Sequence, residues 1–298
     1  GTVFFDADNG TLADAVVNGI SVDGTITTAT GDILLDSARD IVTTAAITST
    51  SGDIGLVAAR NITQGATVDA GTGDVLFSAG TGTITLGLVE GDTVALSAGT
   101  DILDGNVALT NVRATEVSLR AGGTIGMPDL ISPPGTNNNA IDLEVTRVAA
   151  AAATGIYLRE VAAGGSLTVD RVGGVSVGVT AVNFNSTTSP VATALGVLDD
   201  LTTTAGPVKV VVEAGTLTVN DGLDGDLAGV SAGGTGNILL EARGAASDVV
   251  VNATVTSGTG HITLRAGDDI DLNAALATAG AGTVFFDADN GTLADAVV

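Results

Sequence analysis

Apolar and polar residues alternate along most of the chain, in short runs that turn over at glycine. Gly31 opens GDILLDSARDI, Gly52 opens GDIGLVAARNI, Gly73 opens GDVLFSAGTGTI and Gly91 opens GDTVALSAGTDI. Thr115 opens TEVSLRAGGTI, Gly236 opens GNILLEARG, Gly260 opens GHITLRAGDDI and Gly282 opens GTVFFDADNGTL. Each unit runs from a Gly-polar pair into four or five alternating residues, then a small Ala/Ser-Gly turn, then a second short apolar pair. A period of two marks a strand with one buried face. Val148–Leu158 is the one alanine run with helical propensity, and Thr154 and Gly155 interrupt it.

Where the series is unbroken, the units start roughly 20 residues apart, which is the signature of a β-solenoid. One coil cannot bury its apolar face alone. Stacked at the inter-strand spacing of about 4.8 Å, successive coils close each other's backbone hydrogen bonds and build a continuous aliphatic ladder. The pattern predicts an all-β chain, a right-handed parallel β-helix forming one continuous segment over 1–298. Thirteen or so coils would rise about 60 Å. The middle is less regular. Residues 126–140 carry Pro133-Pro134 and three consecutive Asn, and 183–206 is irregular as well. Both are expected to project as loops from the outer face.

A longer period encloses the short one. Gly1–Val17 reads GTVFFDADNGTLADAVV, and Gly282–Val298 repeats it at every position, an offset of 281 residues. This predicts near-identical blocks in tandem, with the second copy beginning at Gly282. The absence of an initial Met and of a signal peptide points the same way, to a piece of a longer or processed chain.

Composition sharpens this picture. Hydrophobic residues make up 45% but aromatics only 2%, so the core is built from Val, Ile, Leu and Ala. A formal charge of −24 repels nucleic acid and anionic membranes, and suits solubility, repulsion between neighbouring rods, or divalent cations. Cysteine is absent, which a long solenoid tolerates. The longest uncharged stretch, Val172–Leu198, is too polar for a membrane span.

The units GDILLDSARDI, GDIGLVAARNI and GHITLRAGDDI resemble the repeats of filamentous-haemagglutinin-like exoproteins and related giant bacterial surface adhesins. The likeness is clearest over 24–126 and 236–298. It implies a parallel β-helix at the bacterial cell surface with a structural or adhesive role and no catalytic residues to carry over. The amino-terminal secretion domain of that family is not among these residues.

Candidate chemistry is sparse. Calcium is the best ligand candidate. Asp6, Asp8 and Asn9 lie in a turn that recurs at Asp287, Asp289 and Asn290, and Asp221, Asp224 and Asp226 lie in an acidic, Gly-rich turn. Both offer hard oxygen donors, although neither has helix-loop-helix or nonapeptide calcium spacing. Turn chemistry alone also accounts for these residues. His261, the only histidine, stands where other units have Asp or Asn, and no nucleophile motif accompanies it. Lys209, the only lysine, falls on the solvent side of an alternating run. Thr-x-Thr pairs such as Thr83/Thr85 are not in one register, as ice binding would need.

Three readings follow. A structural, filament-forming segment joined to further copies of itself, end to end or laterally, comes first, with no cofactor beyond possible calcium. An adhesin stalk binding a surface glycan or receptor through 126–140 and 183–206 comes second. A polysaccharide-acting enzyme comes third, and would need a groove holding two acids and a basic residue.

Overall fold

The computed structural model describes residues 2–7, 19–107, 109–128 and 139–288. They form thirty-four strands and no helix. Apart from one hairpin, all strand pairs are parallel and join each coil to the next, as in a parallel β-solenoid. Two walls, sheets A and B, face each other across an aliphatic core. Each is eleven strands deep along the rod, so ten spacings of about 4.8 Å give a rise of about 48 Å, shorter than thirteen coils would reach. The difference comes from the middle, where coils are longer than 20 residues.

Inward residues stack on their own kind. Ile33, Ile54, Val75, Val94, Val117 and Val148 form one ladder, and Ile20, Ile41, Ile62, Ile84, Ile102, Ile125 and Ile156 another. Nearly all of these are wholly buried. Each site is flanked above and below by the same shape, so β-branched residues pack without aromatics.

The Gly-Asp pair that opens a unit does two jobs. A Cβ on Gly52 would collide with the Gly31 carbonyl, and one on Gly73 would lie 2.5 Å from the Gly52 carbonyl, so the corner admits only glycine. The aspartate behind it reaches to the next coil. Asp32 Oδ1 accepts from Asp53 N–H at 2.9 Å, Asp53 Oδ1 from Asp74 N–H at 2.8 Å, and Asp74 Oδ1 from Thr93 N–H at 2.9 Å. These bonds satisfy backbone donors at a corner where no strand partner exists.

Halfway along the rod, the walls exchange roles. Up to the Arg147–Ala152 strand, each coil has one long strand in sheet A and two short ones in sheet B. The next strand, Gly155–Glu160, spans both short positions of sheet B, pairing with Thr124–Ile125 through one half and Ile141–Glu144 through the other. Beyond it the long strands are in sheet B (Val208–Val212, Ile238–Ala242, Ile262–Ala266) and the short ones in sheet A. The alanine run is therefore strand, as its interruption by Thr154 and Gly155 suggests.

The 183–206 expectation is overturned. Val175–Val182 and Thr188–Leu195 form an antiparallel hairpin, and Leu201–Thr203 is a strand of sheet A with Leu201 in the core. Strict alternation makes Val175, Val177 and Val179 one apolar face. That face lies on the outside of sheet A, against Leu76 and Ala95, with Val57 and Leu195 beside it. Of 126–140, residues 129–138 lie outside the described residues. Its two ends are held together, with Met127 N–H donating to the Asn139 carbonyl at 2.8 Å.

Candidate functional site

The acidic turn at 220–226 is brought against a second segment that the sequence did not connect to it. Carboxylate oxygens of Asp200, Asp221, Asp224 and Asp226 all lie within 4.8 Å of one another. Asp200 is buried at the end of the excursion that forms the hairpin, and its backbone is left-handed with φ of 61°. Its Oδ1 accepts from Gly222 N–H at 3.1 Å, and Asp199 Oδ1 accepts from Leu223 N–H at 3.0 Å, so the Asp199-Asp200 pair folds the turn. Within the turn, Asp224 Oδ1 accepts from Asp226 N–H and Asp226 Oδ1 from Ala228 N–H. Asp221 Oδ1 is buried with no hydrogen-bond partner.

Burial pushes Asp200 up to about 7; the Gly222 N–H opposes the shift, and the negative charges of Asp224, Asp226 and Asp199 add to it. Four carboxylates this close either share protons or accept a cation. Oxygens at the usual calcium distance of about 2.4 Å from one ion lie at most about 4.8 Å apart. The donor set is thus that of a hard divalent cation, from Asp221, Asp224 and Asp226 as the sequence suggested, plus Asp200. Sequence reading did not join Asp200 to this set because the strand after it pairs with Ala228–Ala232, Leu201 opposite Val230, and the turn reaches Asp200 by folding back before that strand.

Of the other candidate turn, only Asp6 and Asp287 are among the described residues. Asp6 is exposed on the Val3–Ala7 strand in register with Asp36, while Asp8 and Asn9, like Asp289 and Asn290, lie outside the described residues. His261 takes the structural place of an aspartate. Its N–H is received by Asn237 Oδ1 at 2.8 Å, and its own Nδ1 receives Thr283 N–H at 3.1 Å, which repeats the corner ladder and leaves Nε2 to carry the proton.

No family model, curated protein or solved structure matches the chain.

Two surface grooves bear on carbohydrate chemistry. A groove of about 430 Å³ on the outer face of sheet B is lined by Tyr157, Lys209, Leu239, His261, Thr263 and Arg265 among others, with no carboxylate in its lining. A second cleft contains Asp69, Glu90, Asp92 and Arg113, the residue types a carbohydrate-acting centre uses. Its arginine is held from both sides, by Glu90 at 2.5 Å and Glu144 at 2.6 Å, and these contacts raise its pKa further. The acids whose pKa burial raises, Asp53, Asp142, Glu160 and Asp200, all lie outside this cleft. A general acid held protonated near neutral pH is what glycoside hydrolysis requires.

Proposed function

We propose that the chain is a repeat block of an extracellular bacterial rod, a non-catalytic spacer whose length is set by copy number. The observation that carries this is the uninterrupted parallel ladder ending in strands of one sequence, Val3–Ala7 at one end and Val284–Asp287 at the other. Each is paired on one side only. Phe5, Val284, Phe285 and Phe286 are exposed there. Open strand edges with exposed aromatics invite continuation of the ladder, and a solenoid's stability grows by adding neighbours. The placement at a bacterial surface rests on the resemblance of the coil units to filamentous-haemagglutinin-like repeats. The four-aspartate turn is read as a calcium site that locks the long excursion onto the rod.

Electron microscopy of chains of one, two and three joined periods tests this reading. Particle length should grow by about 50 Å per period, from the strand spacing, and the rods should survive dilution. Length that does not grow with copy number would overturn it. The adhesin reading keeps only the hairpin tip of 183–206, because the hairpin is based on the outside of sheet A through Val175, Val177 and Leu195, and Leu201–Thr203 is a strand of that sheet. A carbohydrate-acting centre remains testable by assay on acidic polysaccharides with Arg113→Ala as control. Turnover that this substitution abolishes would replace the structural reading.

A further inference from the structure

We propose that, in joined copies, the hairpin arm of each copy crosses the junction and seats its tip in the groove on the copy before it. This rests on the reading of the chain as a repeated rod, and it adds how the copies lock together.

The first step is the junction itself. The sequence Val-Phe-Phe-Asp is a long strand of sheet A at one end of the rod and a long strand of sheet B at the other. In a tandem chain these are one strand. Its lower neighbour is Ile262–Ala266 and its upper neighbour is Ile33–Ser37, in matching register. Val284 stands on Ile262 as Val3 stands under Ile33, and Phe286 stands on Leu264 as Phe5 stands under Leu35. The order of one long strand and two short strands passes through without a break. Ile262–Ala266 is followed by Ile270–Leu272 and Leu276–Thr278, and Val3–Ala7 is followed by Ile20–Val22 and Ile26–Thr28. Sheet B of one copy therefore continues as sheet A of the next, and successive copies exchange sides about the rod axis. The change of wall at Gly155–Glu160 makes this consistent, since it moves the long strands from A to B once per copy.

The second step follows the outer face through that junction. On sheet B, Tyr157, Lys209, Leu239, Thr263 and Phe285 form one outward column. On sheet A, Phe4, Leu34, Gly55, Leu76 and Ala95 form another. Phe285 and Phe4 are the same residue of the repeat, so the two columns become one. The hairpin lies on the sheet A part. Val175 and Val177 pack on Leu76 and Ala95, and a Cβ on Gly55 would lie 2.8 Å from Leu34 Cδ1 and touch Val177, so the column narrows to glycine between them.

The third step is reach. Val175–Val182 is eight residues long, about 23 Å at strand rise, while four strand spacings from the level of Ala95 to that of Phe4 take about 19 Å. The turn at Asn183–Thr187 therefore overhangs the last strand. It carries Phe184, fully exposed, and Val182, largely exposed. Asn183 N–H donates to the Thr187 carbonyl, and Asn185 Oδ1 receives the Thr187 N–H and hydroxyl, so the turn presents the phenyl ring on a fixed platform. Beyond Phe4, the surface facing it is the groove of Thr263, Leu239 and Tyr157. A lone phenyl ring in water and an aromatic and aliphatic groove on the same column complement each other.

The chain contains no cysteine, so introduced pairs report without interference. In a two-period chain, Phe184→Cys in the second copy is paired with Thr263→Cys or, in a separate protein, Leu239→Cys in the first copy. Oxidation should close a disulfide in at least one of the two proteins. The swapped arrangement, Phe184→Cys in the first copy with Thr263→Cys or Leu239→Cys in the second, should close at least tenfold less. A cysteine-free Phe184→Ser two-period chain should melt at its junction earlier than its parent, while the one-period Phe184→Ser chain should match its parent. Rods of double length with no order-dependent disulfide, or no junction effect of Phe184→Ser, would overturn the arm docking and leave the rod standing. Two-period chains that are not double-length rods would overturn the rod reading itself.

Discussion

Asp200→Asn in the one-period chain, studied without divalent cations, separates charge from shape at the four-aspartate turn. Asparagine keeps the Oδ1 that receives Gly222 N–H and tolerates the left-handed backbone at this position. It removes only the charge. In the folded chain Asp200 titrates at about 7, against an ordinary 3.8. A raised folded pKa means that the folded state holds its proton where the unfolded state has already released it. Stability from this group is intact below about pH 4, falls as pH rises, and is fully lost above pH 7. At about 1.4 kcal/mol per unit, the loss is on the order of 4 kcal/mol. The difference in stability between Asp200→Asn and its parent should thus be near zero at pH 4 and favour the substitution at pH 8. Urea unfolding followed by circular dichroism at several pH values measures it. Calcium should offset most of that advantage at pH 8 without reversing it. At 100-fold over its dissociation constant it stabilises the parent by about 2.7 kcal/mol, and it should do far less for the variant, which has lost a buried ligand charge. A pH-independent difference would refute the repulsion, and a parent indifferent to calcium and magnesium alike would refute the cation site.

Other positions test the scaffold. Glu160 is fully buried and receives Val145 N–H and Ala162 N–H, so Glu160→Ala orphans two backbone donors and should cost roughly 2–5 kcal/mol by chemical denaturation. Leu56→Ala opens a cavity in a ladder closed on both sides and should cost about 2–5 kcal/mol, with hydrogen exchange rising first in the adjoining coils. Gly52→Val drives a side chain into the Gly31 carbonyl and should separate the first coils, seen as early proteolysis near that corner. Asp142 is buried beside Asp104 with Oδ1 unbonded, and the Arg159 guanidinium at 3.6 Å is too far to hydrogen-bond it; burial pushes Asp142 up to about 7. Asp142→Asn should therefore stabilise the chain at pH 8 and leave it unchanged at pH 4, by the same urea assay.

The regular coils could be read from the sequence because each one repeats the same physical problem. Alternation names the inward residues, and the Gly-Asp pair names the corner. His261 was readable in the same way, since its neighbours in the column identify the backbone donor it must satisfy. The hairpin escaped for the opposite reason. Val175–Val182 alternates like any strand, but its apolar face packs on the outside of a wall, and alternation does not tell inside from outside. The apparent irregularity of 183–206 came from a turn and a proline in its return strand, Pro190, which pairs at the exposed end of the hairpin. Asp200 was hidden because strand register sets Leu201 opposite Val230, and the 220–226 turn reaches Asp200 only by folding back before that strand. The wall exchange at Gly155–Glu160 was hidden too, since long and short strands differ by only two or three residues.

The acid content then takes a specific meaning. A parallel ladder places like residues about 4.8 Å apart in every coil, so an aspartate that serves each corner becomes a column of charge. Asp53 shows the cost directly, since burial and the flanking Asp32 and Asp74 raise its pKa while the Asp74 N–H it receives pulls it down. Elsewhere the chain breaks the column with arginine. Arg113 lies between Glu90 and Glu144, Arg159 between Asp142 and Glu213, and Arg243 beside Glu213 and Glu241. At the four-aspartate turn no arginine intervenes among the described residues, and the charge is left to a proton or a cation. A rod that grows by stacking identical coils must interrupt its own charge columns, and this turn is where the sequence leaves that task to the solvent.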